Sequence, residues 1–315
     1  MIAQIIKRIL MVIPKLLAVS IILFFLINIL PGDAATGMIS NDTSVEYYEQ
    51  LRKDMGLDRP AAVRYLSWVG GILRGDMGKS LINNQPVAER IAQRLPVTLE
   101  LTFLAIIVSI VIAVPVGILS AVKRNSALDV GASIFSMLGV AMPSFWLGML
   151  LIIAFCLNLR ILPASGYTPP SQSLVDNLRR MILPAISVGI GFTATVMRQT
   201  RSALLEVLGQ DYVLTARAKG LRERIVIWKH ALRNALVPVI TVISMQIGRL
   251  IGGVIVTESV FVLPGMGSAI SDAILSRDYP VVMGFILVVA SVVVFVNMVV
   301  DVLYIFIDPR ISHKK

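Results

Sequence analysis

Long apolar runs separated by short polar segments dominate the chain. Several approach or exceed the roughly 20 apolar residues that a helix needs to cross a bilayer. We place these runs at residues 9–30, 97–121, 131–158, 181–200, 236–260 and 281–307. The fourth run is the weakest because it contains Pro184, Gly189 and Gly191, which membrane helices tolerate when neighbouring groups satisfy the freed backbone. The pattern predicts an all-α polytopic membrane protein with about six transmembrane helices.

The first apolar run has the wrong length for a cleaved signal peptide. Lys7 and Arg8 precede it, as cations precede a signal sequence, but a signal core has only about 7–15 apolar residues. We therefore expect an uncleaved first helix and a single transmembrane domain over residues 1–315.

The polar segment 31–95 is amphipathic, and it predicts short helices between the first two spans. Thr43 and Glu46 have the spacing of a capping box, and Gly56 is placed to end that helix. Pro60 suits the first turn of another helix. We expect a small helical cap here rather than an independent domain.

A third short helix is predicted from Pro86 to a stop before Pro96. The preceding stretch "GILRGDMGKS" (71–80) ends like a phosphate-binding loop, but that loop needs a glycine five residues before Gly78, where the chain has Leu73. We therefore interpret the stretch as a glycine-rich turn.

Composition and charge agree with a membrane location. The chain is 56% hydrophobic with a mean hydropathy of +0.82, and its net charge is +10. With six spans and the N-terminus inside, Lys and Arg concentrate in the cytoplasmic segments, as the positive-inside rule requires. The basic excess therefore indicates orientation rather than nucleic-acid binding. We expect both termini in the cytoplasm and segment 31–95 outside.

The sequence carries no pattern typical of a catalytic or metal site. Its two histidines, His230 and His313, form no His-Glu-x-x-His pair, and Cys156 is the single cysteine. We predict neither a catalytic residue nor a cofactor in this chain, and transport is the expected function.

The stretch "DYVLTARAKGLRERIVIWKHALRNALVP" (211–238) interrupts the apolar pattern with a basic, helix-forming segment. Asp211 is placed to cap a short helix from Tyr212 to Lys219 that Gly220 ends, and a second helix begins near Arg222. Such a segment could simply contact anionic lipid headgroups. The small residues Ala216 and Ala218 favour a helix that docks in the groove of a partner protein.

These residues resemble a known family. "DYVLTARAKGL" and "HALRNALVPVIT" are similar to the cytoplasmic coupling loop of permease subunits in ATP-binding-cassette importers, in the peptide and nickel branch. The resemblance covers nearly the whole chain, and the segments that carry it include "ILPGD" (29–33), "GDMGKS" (75–80), "MPSFWLGMLL" (142–151), "ESVFVLPGMG" (258–267) and "IDPRI" (307–311). When the consensus glycine of the broad family's loop is placed on Gly220, the consensus Glu-Ala-Ala triplet matches only at Ala216.

The resemblance implies a type I importer permease fold and a set of partners. These are a second, similar permease subunit, two ATPases that bind ATP and Mg²⁺, an external solute-binding protein and the surrounding lipid. Residues near 210–221 would form the coupling helix that docks on an ATPase. The expected coupling residues are Asp211, Tyr212, Thr215, Ala216, Arg217, Ala218, Lys219 and Gly220.

Arg249 and Gln246 are the candidate solute contacts. A cation near the middle of the fifth span is costly unless it faces water or a partner, and an arginine fork suits a peptide carboxylate. An ion pair with Asp301 is the alternative. We favour di- or oligopeptides as the solute, with nickel or its chelates, glutathione or opine-like compounds as alternatives. An ion-driven secondary transporter is a remote alternative, because the chain shows no internal repeat.

Overall fold

The computed structural model describes residues 6, 8–29, 45–54 and 56–307. Regular structure in this part of the chain is helical, apart from an isolated antiparallel bridge between Lys79 and Pro86. The helices of the first part are α1 (Val12–Ile29), α2 (Val45–Asp54), α3 (Ala61–Leu73), α4 (Val87–Val122), α5 (Ala127–Ala141) and α6 (Ser144–Leu151). The helices of the second part are α7 (Leu174–Leu208), α8 (Asp211–Ala218), α9 (Glu223–Ile225), α10 (Leu232–Val260), α11 (Met266–Leu275) and α12 (Tyr279–Ile307).

Two π-helical segments extend these helices. Segment π1 (Ile152–Asn158) continues α6, and segment π2 (Val226–Ala231) joins α9 to α10. The backbone from Glu223 to Val260 is therefore helical throughout, as predicted for the second helix of the basic stretch. Wider π turns are often found at functional sites.

Five helices in the described residues are long and apolar enough to cross a membrane. They overlap the first, second, fourth, fifth and sixth predicted runs, at Arg8–Ile29, Val87–Val122, Leu174–Leu208, Glu223–Gly248 and Tyr279–Val300. The chain is thus a multi-pass membrane protein, as predicted.

The third predicted run is not one straight helix. Helix α5 and the α6–π1 segment meet at a bend of 110°. The break falls at Met142, which has extended backbone angles (φ −81°, ψ 127°), followed by Pro143. Proline disfavours the helical region for the residue before it, because its ring collides with that residue's backbone. The predicted third span over 131–158 therefore consists of two helices joined at a bend, and it is a sixth span if this bent pair crosses the membrane as one unit.

The helix predicted to stop before Pro96 also differs. Helix α4 runs without interruption from Val87 to Val122, through both Pro96 and Pro115. Residues predicted as part of the cap therefore continue directly into the second span. A proline breaks one hydrogen bond of the helix, but membrane helices tolerate this loss when neighbouring groups compensate for it.

The cap helices otherwise follow the predicted signals. Gly56 has a positive φ of 65° and donates its N–H to the Lys53 carbonyl, which ends α2. Pro60 directly precedes α3. The glycine-rich stretch is a turn, with Gly75 and Gly78 both at positive φ. The capping-box residue Thr43 lies outside the described residues.

The contacts group the chain into two compact units. One unit comprises Leu99–Leu263 and the chain from Val296 onward, and the other comprises Ile6–Thr98 and Pro264–Phe295. In the first unit, α7 packs against α5, α6 and α10. In the second unit, a buried apolar cluster is formed by residues of α1, α4, α11 and α12: Leu23, Ile27, Val87, Ile91, Met266, Ala269, Ile270, Ala273, Val281, Val282, Phe285 and Leu287.

Candidate functional site

The short helix α8 is bounded by residues that change the direction of the chain. Helix α7 ends at Gly209, and Gln210 adopts an extended conformation (φ −77°, ψ 146°) just before α8. At the other end, Gly220 has a positive φ of 77° and donates its N–H to the Arg217 carbonyl at 2.9 Å. Glycine adopts this left-handed conformation without steric cost. The predicted terminator is therefore confirmed.

The N-terminal cap differs from the prediction. Gln210 occupies the capping position and Asp211 is the first helical residue, and the capping side chain makes no hydrogen bond to the helix. Asp211 still lies in the first turn, where its negative charge interacts favourably with the helix dipole. Thr215 donates its hydroxyl to the Asp211 carbonyl at 2.8 Å.

One face of α8 is buried against the helix that follows it. Val213 and Ala216 are three residues apart, so they share a face. They pack with Val226, and all three side chains are buried. The partly buried Val207 and Leu208 at the end of α7 complete this contact. Ala216 therefore faces into its own chain, and in this structure it helps to position α8 rather than lying on its exposed surface.

Polar side chains also tie α8 to its surroundings. The Tyr212 hydroxyl accepts a hydrogen bond from the Asn234 amide of α10 at 2.8 Å. Arg217 forms a two-point ion pair with Glu223, with its closest N–O distance 2.6 Å. These hydrogen bonds to Glu223 raise the pKa of Arg217 above its ordinary value, so the guanidinium remains charged. Both ends of the helix are thus held against the start of the next membrane helix.

The opposite face of α8 and the following turn remain exposed. Leu214 is 51% exposed and Leu221 is 38% exposed. Exposed residues around them include Thr215, Ala218, Lys219, Arg222 and Arg224, and the predicted coupling residues Asp211, Tyr212, Arg217 and Gly220 are exposed as well. This surface combines apolar side chains with cations. It is the surface of this segment that a partner could contact.

A buried ion pair fixes the part of α7 that leads into α8. Arg201 donates from Nε to Asp129 Oδ1 at 2.6 Å and from a terminal nitrogen to Asp129 Oδ2 at 2.9 Å. The same carboxylate accepts hydrogen bonds from the Ser120 hydroxyl at 2.5 Å and the Asn125 N–H at 2.9 Å. Asp129 is only 3% exposed. Four donors from α4, α7 and the α4–α5 turn therefore converge on one acid.

Close helix packing reinforces this ion pair. A Cβ added at Gly117 of α4 would lie 2.7 Å from the Met197 carbonyl oxygen and 2.7 Å from the Thr200 side chain of α7. The two helices therefore approach each other as closely as glycine permits, one residue away from Arg201. Movement of α8 would be transmitted to α4 and α5 through this contact.

The sequence analysis did not identify Asp129 or Arg201 as functional residues. One signal was present: Ser126 and Asp129 have the spacing of a helix N-terminus, and Ser126 does accept the Asp129 N–H at 3.3 Å. That pattern indicates where α5 begins. It does not indicate which basic residue, 72 positions later, pairs with the acid.

The predicted solute contacts lie on α10. Gln246 and Arg249 are three residues apart on this helix, so their backbone positions share a face. Gln246 is half-buried. The side chains of Arg249 and of its alternative partner Asp301 lie outside the described residues. At the neighbouring Gly248, an added Cβ would lie 2.8 Å from the Asn297 side-chain oxygen of α12, so the Asn297 amide packs closely against α10 at this level.

Glu100, an acid that an ion-driven mechanism could have used, is held by two donors. Tyr167 donates its hydroxyl to Oε2 at 2.6 Å, and Asn177 donates its amide to Oε1 at 2.6 Å. Burial and the Glu100 carboxylate raise the pKa of Tyr167, so its hydroxyl remains a donor. These bonds fasten the loop before α7 to α4.

Comparisons with known proteins agree with this architecture. Residues 113–313 match the family described as binding-protein-dependent transport system inner membrane component, and residues 1–102 match the N-terminal family of the same membrane components. The dipeptide transport system permease protein DppB of Escherichia coli K12 is 40% identical over 339 aligned positions, which cover 100% of both chains. A Brucella suis biovar 1 protein named as a peptide transport system permease is 42% identical over 99% of this chain and 100% of its own length. Among solved structures, the MetNI methionine ABC transporter in an inward-facing conformation shares the fold, with a TM-score of 0.53 and 17% identity over 70% of this chain and 96% of that one.

Proposed function

Because this chain belongs to the inner membrane components of binding-protein-dependent transport systems, we propose that it is the permease subunit of an ATP-driven importer for di- or oligopeptides. The peptide class is supported by the relatives named as peptide and dipeptide permeases, which align over almost the whole chain. The importer would further contain a second permease subunit, two ATP-binding-cassette ATPases and an external solute-binding protein. ATP and Mg²⁺ bind to the ATPases, and this chain carries the translocation path.

Helix α8 is the main structural support for this proposal, because it combines an inner face packed on its own chain with an exposed outer face. Val213 and Ala216 attach it to its own chain, whereas Leu214, Ala218 and Lys219 face outward. An ATPase that binds this outer face can move α7 and α10 together, since α8 follows α7 in the chain and leads through α9 and π2 into α10. Such coupling works only if the ATPase binds the inward-facing and outward-facing states with different affinity.

A bulky substitution on the outer face tests the docking role. Ala218→Trp should lower the recovery of ATPase subunits with a tagged permease by about tenfold, which corresponds to about 1.4 kcal/mol. The matched control is Ala127→Trp, since Ala127 is also exposed and also lies on the predicted cytoplasmic side. Transport should be lost in the first variant and kept in the second. Normal ATPase recovery and transport by Ala218→Trp would show that the partner binds elsewhere.

Arg249 is the proposed contact for the peptide carboxylate. A guanidinium within a membrane helix costs at least about 2.5 kcal/mol unless it faces water or a partner. Its planar fork matches a carboxylate and repels a bare metal cation, which favours peptide over free nickel. Gln246, on the same side of the helix, would add a hydrogen bond.

Uptake of a labelled dipeptide tests this contact. Arg249→Gln should reduce uptake while assembly and basal ATPase activity stay normal, and Arg249→Lys should restore only part of the uptake because lysine lacks the fork. If Arg249→Gln prevents assembly and Asp301→Asn restores it, Arg249 forms an ion pair instead. Normal uptake by Arg249→Gln would remove this residue from the solute path.

A further inference from the structure

Helix α3 carries an apolar face that the described residues leave uncovered. Leu66 is 68% exposed and Leu73 is 82% exposed. Because they are seven residues apart at 100° per residue, they lie only about 20° apart around the helix axis. Val63, at 47% exposure, borders the same face. No residue of α3 is buried, so this helix relies on its surroundings for much of its apolar contact.

The opposite face of α3 packs on the membrane helix α1. The Tyr65 hydroxyl lies 2.8 Å from Ser20 Oγ, within hydrogen-bonding distance. The Tyr65 and Trp68 rings lie 5.5 Å and 6.1 Å from the Phe24 ring, measured between centroids. These contacts place α3 beside the second half of α1.

The position of Ser20 within α1 gives the depth of this contact. Ser20 precedes the end of α1 at Ile29 by nine residues, or about 13 Å at the helical rise of 1.5 Å per residue. The hydrocarbon core of a bilayer is about 30 Å thick. With the bilayer surface near the end of α1, the Tyr65–Ser20 contact therefore lies at the level of acyl chains.

Helix α1 also carries exposed apolar side chains. Ile22, Leu26 and Ile29 of α1 are 64%, 59% and 80% exposed, and they lie on the side of α1 turned away from Ser20 and Phe24. Such side chains suit contact with lipid on a helix long and apolar enough to span the bilayer. Helix α3 presents the same kind of side chains on its own exposed face.

The charged residue of α3 faces away from this apolar surface. Arg64 lines a cavity of about 330 Å³ together with Ser67, Arg59 and Asp76. Its guanidinium carbon also lies 5.8 Å from the centre of the Phe24 ring. Helix α3 thus has one face packed on α1, one lining this cavity, whose wall also includes Val63, and one apolar and exposed at Leu66 and Leu73. The charge does not oppose contact between the apolar face and lipid.

We propose that α3 is embedded in the same leaflet as the second half of α1, with Leu66 and Leu73 in contact with phospholipid acyl chains. The cap would then be anchored in the bilayer rather than standing free in water. This proposal depends on α1 spanning the membrane and is independent of the solute and of the role of α8.

Spin labels attached to single cysteines test the proposal in the complete importer reconstituted in lipid nanodiscs. Cys156→Ser provides the background, and labels replace Leu66 or Leu73. Collisions with oxygen, which concentrates in lipid, should be frequent at both positions, and collisions with a water-soluble nickel chelate should be rare. A label at Asn83, an exposed residue of the following turn, should show the reverse pattern. Ser67 is the matched control on α3 itself, because it lines the cavity beside Arg64. Its label should collide with the nickel chelate more often than the label at Leu66.

Two other patterns would overturn the proposal. Frequent collisions with the nickel chelate at Leu66 and Leu73 would place this face in water. Rare collisions with both reagents would mean that protein covers the face, either a partner subunit or residues 30–44 of this chain. The label at Leu73, the last residue of α3, repeats the test. If the label at Leu66 disturbs folding, the collision rates at Leu73 still decide whether this face contacts lipid.

Discussion

The ion pair between Asp129 and Arg201 provides a quantitative test of how α8 is connected to the membrane helices. Arg201→Met removes the guanidinium while keeping a flexible side chain of similar length. Asp129, 3% exposed, would then keep its negative charge with only the Ser120 and Asn125 donors. The opposite change, Asp129→Asn, leaves a cation whose side chain is 30% exposed and can reach water. The two variants should therefore differ in severity.

The magnitudes follow from this asymmetry. Removing one partner of a buried ion pair typically costs about 3–5 kcal/mol. Because two donors remain on the carboxylate, we expect Arg201→Met to cost about 3 kcal/mol. Asp129→Asn should cost about 1.5 kcal/mol, the lower end for a hydrogen bond to a charged group. The double variant should cost less than the sum of the two, because neither charge is then left alone.

Thermal unfolding of the purified importer measures these costs. A loss of about 3 kcal/mol should lower the Tm by about 6 °C in a protein of this size. Peptide uptake should fall further than basal ATPase activity in Arg201→Met, because movement of α8 would no longer reach α4 and α5. Arg198→Met is the matched control: Arg198 is exposed on the same helix, and surface substitutions usually change stability by less than about 0.5 kcal/mol.

The control and the double variant decide the outcome. Equal Tm values for Arg201→Met and Arg198→Met would show that the ion pair adds nothing to stability. A double variant as unstable as the sum of the single ones would show that the two charges do not interact. Normal uptake by a destabilised Arg201→Met would limit the ion pair to folding.

Three further predictions concern glycines and topology. Gly220→Val should abolish stimulation of the ATPase by the solute-binding protein, because the left-handed backbone at this position costs a branched residue about 1–2 kcal/mol. Gly220→Asn should keep this stimulation. Equal stimulation in the two variants would mean that the left-handed conformation is dispensable. Gly117→Ala should lower the Tm, since overpacking costs about 1–3 kcal/mol. Gly131→Ala should leave the Tm unchanged, because the space around Gly131 is open. Equal Tm values for the two variants would contradict the close α4–α7 contact. In spheroplasts, a cysteine at Asn83 should react with an impermeant thiol reagent and one at Ser202 should not, and the reverse would invert the predicted orientation.

The sequence by itself determined most of the membrane helices and the C-terminal end of α8. A span requires only a local run of apolar residues, because the bilayer leaves no other way to satisfy the backbone. Gly220 could be identified as a terminator because a positive φ is a local demand that glycine meets best. Family membership also followed from the sequence, because short segments distributed over the whole chain each resemble the same branch.

Tertiary structure alone decided which side chains meet. Asp129 and Arg201 are 72 residues apart, and no local pattern specifies their pairing. The inward orientation of Ala216 depends on Val226 of the following helix. Likewise, a proline predicts a possible break, but neighbouring helices decide the result: Pro143 produces a bend of 110°, whereas α4 continues through Pro96. Helix formation depends on hydrogen bonds between residues four positions apart, whereas these outcomes depend on packing between segments that are distant in the chain.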